Sequence, residues 1–351
     1  MPALTSAPHV AFSTRTFKYH RTVRPSGRYQ IRKLIVLLHS QSLPQDLFQH
    51  TRCPLCGSGE SDILKPSKYP SNLTRDVLLK SYSASSSHLL LDQLVQCRQC
   101  TMQYLNPRPN DDIVLQSYSD AVDPTFVAQN PNRISTFEKT LRAVLGDLQW
   151  PDGKGRRYLD IGCAGGASLV AARSLGFAVQ GVEPSHWLAE YGRTNYGIDV
   201  VDGILKPGMF PESSFDLITM WDVLEHIPAP GPVLELIHSL LKPGGVLLLT
   251  YPDVASLTQR LLGVRWPFWL SVHLNYYVPA TIRRQVEQAN FEVLRFRPYW
   301  MSLPLGYALS RAVPYFKPVA LLQRLLEGLG LGRVSFTYNM GQTLVLNRRK
   351  D

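Results

Sequence analysis

The chain has 351 residues and a net charge of +10, with 44% hydrophobic and 18% charged residues. This composition supplies enough apolar surface for a large core and excludes a broadly disordered protein. It also disfavours a transmembrane protein, because no apolar run approaches the ~20 residues that a membrane-crossing helix needs.

Basic residues are concentrated at the start of the chain. The first 45 residues hold five arginines and two lysines, and the first acidic residue is Asp46. Without these seven charges, the net charge of +10 falls to +3 for the remainder, which disfavours nucleic acid as a partner. An arginine-rich head without acids is typical of a transit peptide. Its amphipathic pattern is poor, however, and we interpret residues 1–50 as a basic, disordered extension.

Two cysteine pairs, "CPLCG" and "CRQC", mark a small module that we place at residues 51–108. Without a secretory signal, two C-x-x-C pairs indicate a metal in a reducing compartment rather than disulfides, and we expect a cytoplasmic protein. Four thiolates on two tight turns are the ligand set of a closed, structural zinc site, which leaves no position for a substrate. The predicted zinc ligands are Cys53, Cys56, Cys97 and Cys100.

Residues 109–150 carry a helical pattern, in which "ISTFEKTLRAVLGDL" places its apolar residues on one face, and we interpret them as a helical linker. From residue 151 onward, strand patterns alternate with helical patterns. The predicted strands are "YLDIG", "AVQGVE", "IDVVDG", "FDLITMW" and "VLLLTYP". Such alternation predicts an α/β fold with a doubly wound, mostly parallel sheet.

The regular alternation ends after the fifth strand. Residues 253–278 are aromatic and irregular, and residues 299–334 contain leucines at 321, 322, 325, 326 and 329. We interpret both segments as insertions on the substrate side. We expect the leucine stripe to form a helix packed on its own domain rather than a membrane anchor. "FEVLRFRP" predicts a sixth strand, and "SFTYNMGQTLVLNRR" predicts a closing strand with a bulge at Gly341.

The turn after the first of these strands is crowded with small residues. "GCAGG" joins a strand to a helix, so backbone N–H groups and a helix N-terminus can point at a ligand without side chains in the way. Glu183 stands 21 residues after Gly162, at the tip of the next strand. A carboxylate there can accept hydrogen bonds from both hydroxyls of a ribose. The pattern indicates a nucleoside-bearing cofactor, although neither the dinucleotide nor the P-loop fingerprint is met.

These residues, together with "DVLEH" and "KPGG", resemble the class I S-adenosylmethionine-dependent methyltransferases. The first motif of that family is D-x-G-x-G-x-G, and this chain follows it from Asp160 to Gly166 with Ala164 in place of the middle glycine. The cysteine pairs and "HLNYYVPATIRRQVEQANFEV" resemble a branch of the family with an N-terminal zinc module. The resemblance implies a Rossmann-like fold with a seven-stranded sheet over residues 151–351, preceded by a small zinc-ribbon-like module.

By this resemblance the cofactor is S-adenosyl-L-methionine. The acid and the loop of the first motif would hold its methionine part, and the acid of the second strand would bind its ribose. The tip of the third strand would lie near its adenine, and the tip of the fourth strand would form the floor of the pocket. The implied cofactor-binding residues are Asp160, Gly162, Cys163, Ala164, Gly165, Gly166, Glu183, Asp202, Gly203, Trp221 and Asp222. We do not expect Cys163 to be a nucleophile, because no obvious base is adjacent to it.

We expect positioning to carry most of the catalysis, with a base near the acceptor. His226 in "DVLEH" and His273 and Tyr276 in "HLNYY" are the catalytic candidates, because they follow strands at the ligand-binding edge of such a sheet. A purely structural role in its loop also fits His226. An alternative use of this region is a divalent-metal site formed by Asp222, Glu225 and His226.

The leading hypothesis is a methyltransferase that acts on a small molecule. The zinc-bearing relatives imply a sugar, a nucleotide sugar or a cell-envelope glycan precursor as the acceptor. One alternative is an rRNA or tRNA base methyltransferase, since some rRNA methyltransferases also place a zinc module before this fold. A second alternative is a catalytically silent scaffold that binds the cofactor. The oligomeric state stays open.

Overall fold

A seven-stranded sheet organises the described part of the chain. The computed structural model describes residues 43–44, 46–70, 73–82, 89–313 and 317–351. Most of the predicted basic extension therefore lies outside the described residues. The strands, in chain order, are β1 (Phe48–Gln49), β2 (Ser61–Lys65), β3 (Leu94–Cys97), β4 (Gln103–Leu105), β5 (Arg108–Pro109), β6 (Arg157–Ile161), β7 (Ala178–Glu183), β8 (Asp199–Asp202), β9 (Phe215–Trp221), β10 (Leu241–Pro252), β11 (Asn275–Tyr276), β12 (Phe291–Pro298), β13 (Met301–Pro304), β14 (Ser335–Tyr338) and β15 (Gln342–Arg349).

The main sheet has the strand order β12-β15-β10-β9-β6-β7-β8. The neighbouring pairs from β10 to β8 are parallel, and β15 runs antiparallel to both β10 and β12. The predicted doubly wound, mostly parallel, seven-stranded sheet is confirmed. Its order reverses between β6 and β9, because the strand after β8 returns to the other side of β6.

Helices cover both faces of this sheet. In chain order, the helices of the described structure are α1 (Arg75–Tyr82), α2 (Asp111–Ser119), α3 (Pro124–Val127), α4 (Asn130–Asp147), α5 (Ala167–Ser174), α6 (His186–Tyr196), α7 (Pro230–Leu240), α8 (Leu257–Leu262), α9 (Pro279–Gln288), α10 (Leu305–Ala312) and α11 (Val319–Gly328). Single 3₁₀ turns span Leu224–His226, Gly263–Arg265 and Leu331–Arg333. Local signals set several helix ends: α7 and α9 begin with proline, and Ser185 caps α6 by accepting the Leu188 N–H at 3.1 Å.

Alternation along the central strands buries both faces of the sheet. On β10, Val246 and Leu248 join the apolar cluster that contains α4 and α5, whereas Leu247 and Leu249 join the cluster that contains α7 and α9. Successive side chains of a strand point to opposite faces, so a continuous apolar run is the pattern expected for a strand covered on both sides.

The cysteine module is built on a four-stranded antiparallel sheet with the order β11-β4-β3-β2. Three of these strands belong to the predicted module, but β11 comes from the segment after β10. There, Asn275 pairs with Tyr104, and Tyr276 pairs with Gln103. The aromatic segment 253–278 therefore joins the module to the main sheet by backbone hydrogen bonds.

The predicted closing strand is divided in two. β14 pairs with β13 in a ribbon of its own, whereas β15 lies in the main sheet. Asn339 closes the neck between them, because its side-chain amide donates to the carbonyls of Tyr299 and Gln342 at 2.6 and 2.9 Å. Gly341 follows with a φ of +100°. At this point the chain passes from the β13–β14 ribbon into the main sheet, where the sequence predicted only a bulge.

Residues 301–338, which we call the helical insertion, carry the leucine stripe on α11. The stripe is exposed to solvent: the exposed fractions of Leu321, Leu325 and Leu329 are 72%, 60% and 64%. Within the described structure, α11 contacts α10 and the turn Leu331–Arg333 and buries none of its residues. The prediction that this stripe packs on its own domain is wrong. None of the described helices combines the length and the apolar character that crossing a bilayer requires.

Candidate active site

A large cavity opens at the carboxyl ends of the central parallel strands. Its volume is about 1280 Å³, and Ile161, Glu183 and Trp221 bring the ends of β6, β7 and β9 into its wall. This is the edge at which the strand order reverses, where sheets of this kind bind ligands. The predicted helical linker, the segment after β10 and the helical insertion supply the rest of a mostly apolar lining.

The glycine loop has the backbone that its residues favour. Gly162 and Gly166 have φ values of +69° and +80°, in the left-handed region where glycine carries no steric penalty. A Cβ on Gly162 would also stand 2.7 Å from the Val223 side chain. Ala164 has a φ of +46°, so it holds a conformation that glycine would adopt with less strain. Gly162 and Ala164 both line the cavity.

Glu183 lies against this loop at the tip of β7. One carboxylate oxygen accepts the Ala164 N–H at 2.7 Å, and the other accepts the Ser185 N–H at 2.9 Å. Burial raises the pKa of Glu183 to about 7, although these two N–H groups favour its charged form. The carboxylate is therefore held in one orientation at the cavity wall, with a lone pair on each oxygen left for a ligand.

Asp160 has a different environment. Its carboxylate accepts hydrogen bonds from the Ser168 hydroxyl and, at 2.6 Å, from the Thr219 hydroxyl. It lines a second cavity of about 60 Å³ beside the loop rather than the main one. Burial raises the pKa of Asp160 to about 7. These contacts connect the end of β6 to α5 and β9, so Asp160 braces the base of the loop.

The remaining predicted cofactor residues fall into two groups. Three line the main cavity: Gly203, Trp221 and Asp222. Four lie outside its lining: Cys163, Gly165, Gly166 and Asp202. The Cys163 sulfur would stand 2.6 Å from a Cβ on Gly181, and burial raises the pKa of its thiol. Cys163 is therefore a packing residue with little thiolate character.

Buried carboxylates lie at one side of the cavity and directly behind it. Asp222 accepts from the Thr250 hydroxyl at 2.8 Å and from the Gln342 amide, and burial raises its pKa to about 6. Glu225 is 1% exposed, and neither of its oxygens has a hydrogen-bond partner among the described residues. Arg133 lines the same cavity and favours the charged form of Asp222. Buried carboxylates are costly unless a cation or a proton compensates them, so this site favours a positively charged ligand.

His226 stands next to Glu225 in the 3₁₀ turn after β9. Its Nδ1 lies 2.6 Å from the Tyr118 hydroxyl and 2.9 Å from the Val272 carbonyl oxygen. Burial lowers the pKa of His226 to about 4, so the ring is neutral at pH 7. With its proton on Nδ1, donated to Val272, the ring presents Nε2 as an acceptor 4.0 Å from the Glu225 carboxylate.

His273 completes the cluster from the opposite side. Its Nδ1 lies 2.9 Å from the Phe268 carbonyl oxygen, and its ring centroid is 4.8 Å from that of His226. One ligand atom each of Glu225, His226 and His273 lies within 4.8 Å of the others. The structure thus groups His273, rather than Asp222, with the Glu–His pair. Two imidazoles held by backbone carbonyls and one carboxylate can bind a divalent cation or act as a proton acceptor.

Tyr276 does not join this cluster. It lies in β11, is 2% exposed, and donates its hydroxyl to the Leu270 carbonyl at 2.6 Å. It is absent from the cavity lining, which is described for residues 43–351 apart from the short gaps. Because its proton is already engaged in the segment 253–278, we retain only His226 and His273 as candidate bases.

The four predicted zinc ligands come together at the end of the cysteine module. The Cys53 and Cys100 sulfurs are 3.4 Å apart, and those of Cys56 and Cys97 are 3.5 Å apart. All four lie within 4.8 Å of one another. A tetrahedral Zn²⁺ with thiolate bonds of ~2.3 Å separates its sulfurs by about 3.8 Å, so small shifts of the side chains would accommodate the ion.

Comparison with known proteins agrees with this geometry. Residues 127–295 match a family described as a methyltransferase domain. This match identifies a methyltransferase domain within the chain. It is 34% identical over 107 residues to a ubiquinone biosynthesis O-methyltransferase from Xanthomonas campestris, a match that covers 27% of this chain and 43% of the relative. A protein of the same name from Azotobacter vinelandii is 30% identical over 127 residues, covering 33% and 48%.

Both matches are partial, because the chain spans less than half the length of these curated relatives. Among solved structures, an S-adenosylmethionine-dependent methyltransferase from Mesorhizobium loti is 20% identical and has a TM-score of 0.41, with 60% of this chain and 96% of that one covered. The fold of the methyltransferase domain here follows from its own strand order.

Two residues of the methyltransferase domain's cavity were missed from the sequence. Tyr118 and Arg133 belong to the segment that we predicted as a helical linker, and both line the cavity. The helical pattern of that segment gives its apolar face but not the element that it covers. Only the placement of α2 and α4 over the strand tips brings these polar side chains to the acidic wall.

Proposed function

We propose that this protein transfers a methyl group from S-adenosylmethionine to a small acceptor held in the apolar cavity. One observation carries the proposal: a left-handed small-residue loop and a buried, oriented carboxylate meet at the switch point of a methyltransferase-domain sheet. Bare backbone groups suit the methionine part, and Glu183 suits the two hydroxyls of a ribose. The acidic wall suits the cofactor's positive charge.

When bound, the cofactor supplies a methyl group already activated by a sulfonium. The chain's own task is to align the acceptor, exclude water and take up a proton. His226 is suited to the last role, since it is neutral and its Nε2 faces the cluster with Glu225 and His273. The adjacent carboxylate would stabilise the imidazolium that forms, and the Val272 carbonyl would hold the ring in the required tautomer.

For the acceptor, we propose a hydroxyl-bearing small molecule with an apolar body. The relatives that share this part of the chain are named O-methyltransferases, and the lining of the cavity is rich in leucine and valine. A sugar, nucleotide sugar or cell-envelope glycan precursor remains our sequence prediction for the acceptor. An RNA acceptor has less support, because Arg133 and Arg265 are the arginines of the described lining and the chain body is only mildly basic.

We further propose that the four cysteines bind one structural Zn²⁺. Their sulfurs are grouped at nearly tetrahedral spacing, and three of the four residues are buried. Four thiolates leave no coordination position for a substrate, so the metal would fix the two turns of the module. Thiolate ligands need a reducing compartment, which supports our prediction of a cytoplasmic protein.

Calorimetry with S-adenosylmethionine and its demethylated product tests the cofactor site. We expect saturable binding, lost in Glu183→Ala because no carboxylate then meets the ribose, and retained in Glu190→Ala, which removes an exposed acid of α6. His226→Asn should leave that affinity unchanged but slow transfer of a radiolabelled methyl group to acceptors from a cell extract by about 10²–10⁴-fold. Wild-type affinity in Glu183→Ala would overturn the cofactor site.

A further inference from the structure

Two elements at the rim of the cavity expose apolar side chains to solvent. In the helical insertion, Leu321, Leu325 and Leu329 lie on one face of α11 or just beyond its end and remain 60–72% exposed. In α8 and the turn after it, Leu257, Leu261 and Val264 are 70%, 76% and 81% exposed. Soluble proteins rarely leave such sets of large apolar residues uncovered without a partner.

Both elements continue directly into the cavity wall. Leu262 and Arg265 of the first element line the cavity, and so do Leu305, Leu309 and Phe336 of the helical insertion. The two elements are also linked to each other through the neck, where the Trp266 indole N–H donates to the Met340 carbonyl at 2.6 Å. The exposed apolar surface is therefore the outer side of the same walls that would enclose the acceptor.

The charge on these elements is almost entirely positive. Residues 257–265 and 317–338 contain five basic residues and one acid, Glu327. The basic residues are all exposed and form no ion pair with a described carboxylate: Arg260, Arg265, Lys317, Arg324 and Arg333. Leucines flanked by uncompensated arginines and lysines are the composition of a surface that lies in an anionic lipid interface.

A second copy of the chain is a poorer partner for this surface. In a two-fold contact the same patch occupies both sides, so five cations would face five cations across the interface. Like charges brought together at an interface cost free energy, whereas anionic headgroups would neutralise them. The charge pattern therefore selects the bilayer over self-association.

We propose that the surface formed by residues 257–265 and 317–338 docks on an anionic lipid bilayer. Docking there places the rim of the cavity against the lipid, so that an acceptor with a hydrocarbon part can enter without crossing water. This second step rests on the proposed function. The cavity of about 1280 Å³ would then hold the cofactor and such an acceptor together.

The experiment is flotation of the full chain with vesicles of phosphatidylcholine, with and without phosphatidylglycerol. We expect flotation with the anionic vesicles, weakened at least about tenfold in Leu321→Ser/Leu325→Ser because two side chains lose their apolar burial. The matched control is Ile63→Ser/Leu64→Ser, which removes two exposed apolar residues of β2 in the cysteine module. Both variants retain the basic residues within positions 1–50, so a difference in flotation between the two variants results from the leucines.

A charge variant tests the other half of the inference. Lys317→Gln/Arg324→Gln/Arg333→Gln should lose about fivefold in affinity for anionic vesicles per charge removed, and should lose much of its salt sensitivity. Failure of the wild-type chain to float would overturn the proposal, as would equal flotation of the leucine variant and its control. If the wild-type chain does not bind vesicles but forms a dimer in light scattering, and if only the leucine variant loses that dimer, the surface contacts a second copy of the chain.

Calorimetry on the same samples separates this inference from the proposed function. A chain that binds S-adenosylmethionine but does not float overturns the docking surface alone. A chain that floats but does not bind the cofactor keeps the docking surface and overturns the proposed function. The substituted leucines lie outside the cavity lining, so cofactor affinity should be the same in both double variants.

Discussion

α9 and α11 are ten-residue amphipathic helices with opposite surroundings. α9 buries Ile282 and Val286 between β12 and α7, and its exposed side is polar. α11 has an equally regular apolar face, yet buries none of its residues in the described structure. The comparison shows that the helical period determines which face of a helix is apolar. It does not determine whether the surface that packs on this face belongs to the same chain. The main sheet likewise satisfies its contacts within the chain. The cysteine cluster and the acidic cavity instead present groups for a metal and a cofactor.

Among the predictions, removal of the metal should have the largest effect on the free energy of unfolding. We expect one zinc per chain by elemental analysis, and chelation should lower the free energy of unfolding by about 4 kcal/mol or more, the value for a ligand present at a thousand times its Kd. Thermal unfolding with and without chelator measures it. Cys163→Ser is the control, because this cysteine lies apart from the cluster. Equal stability with and without chelator would contradict a structural zinc.

Truncation on the two helices tests the comparison directly. Ile282→Ala removes a fully buried side chain and should cost about 2–5 kcal/mol in the free energy of unfolding. Leu325→Ala, on the exposed face, should change it by less than about 0.5 kcal/mol. Urea unfolding of the two variants gives both values. If Leu325→Ala were as destabilising as Ile282→Ala, α11 would have a partner within the chain.

The pH dependence of cofactor binding tests whether the buried carboxylates of the cavity, unlike the residues of the core, depend on a ligand from outside the chain. Glu183 has a pKa of about 7 in the folded chain, above its ordinary value, so ionising it costs free energy until the ribose hydroxyls donate hydrogen bonds to its charged form. Affinity for S-adenosylmethionine should therefore rise with pH, by about tenfold between pH 6 and pH 8 for one such group. Asp160, with a pKa of about 7, acts in the same direction.

The matched variant for this prediction is Glu183→Gln, which removes the titrating group but keeps its size. Its affinity should be lower at pH 8 and less dependent on pH than that of the wild-type chain. Calorimetry at several pH values provides the comparison. An affinity that falls as the pH rises would contradict the assignment of an ionised Glu183 to the ribose hydroxyls.

The smallest expected effect concerns the loop. Ala164→Gly should raise the free energy of unfolding by about 0.5 kcal/mol, because relief of the left-handed strain slightly exceeds the entropy that glycine loses on folding. Thermal unfolding of the variant and of the wild-type chain is the measurement. Destabilisation by Ala164→Gly would show that the alanine methyl group contributes packing that outweighs its backbone strain.

Much of the fold and part of the site could be predicted from the sequence. The strands of the sheet, the loop at Gly162, the acid at Glu183 and the two cysteine pairs were all found in this way. Tyr276 was placed among the candidate bases because it lies in the segment after the fifth strand, at the ligand-binding edge of the sheet, but β11 carries it into the cysteine module's sheet. A strand sends adjacent side chains to different surroundings, and sequence proximity does not determine which of them reaches the cavity.

By itself, the sequence determined the features that depend on short spacing: alternation of strands and helices, left-handed turns at glycine, and thiols separated by two residues. Each of these results from backbone sterics or local periodicity within a few turns of chain. Tertiary structure alone decided that Tyr118, Arg133 and His273 meet at one acidic wall, and that the leucines of α11 remain uncovered. Those outcomes depend on contacts between residues about 50 to 110 positions apart, which form only once the sheet has brought their elements together.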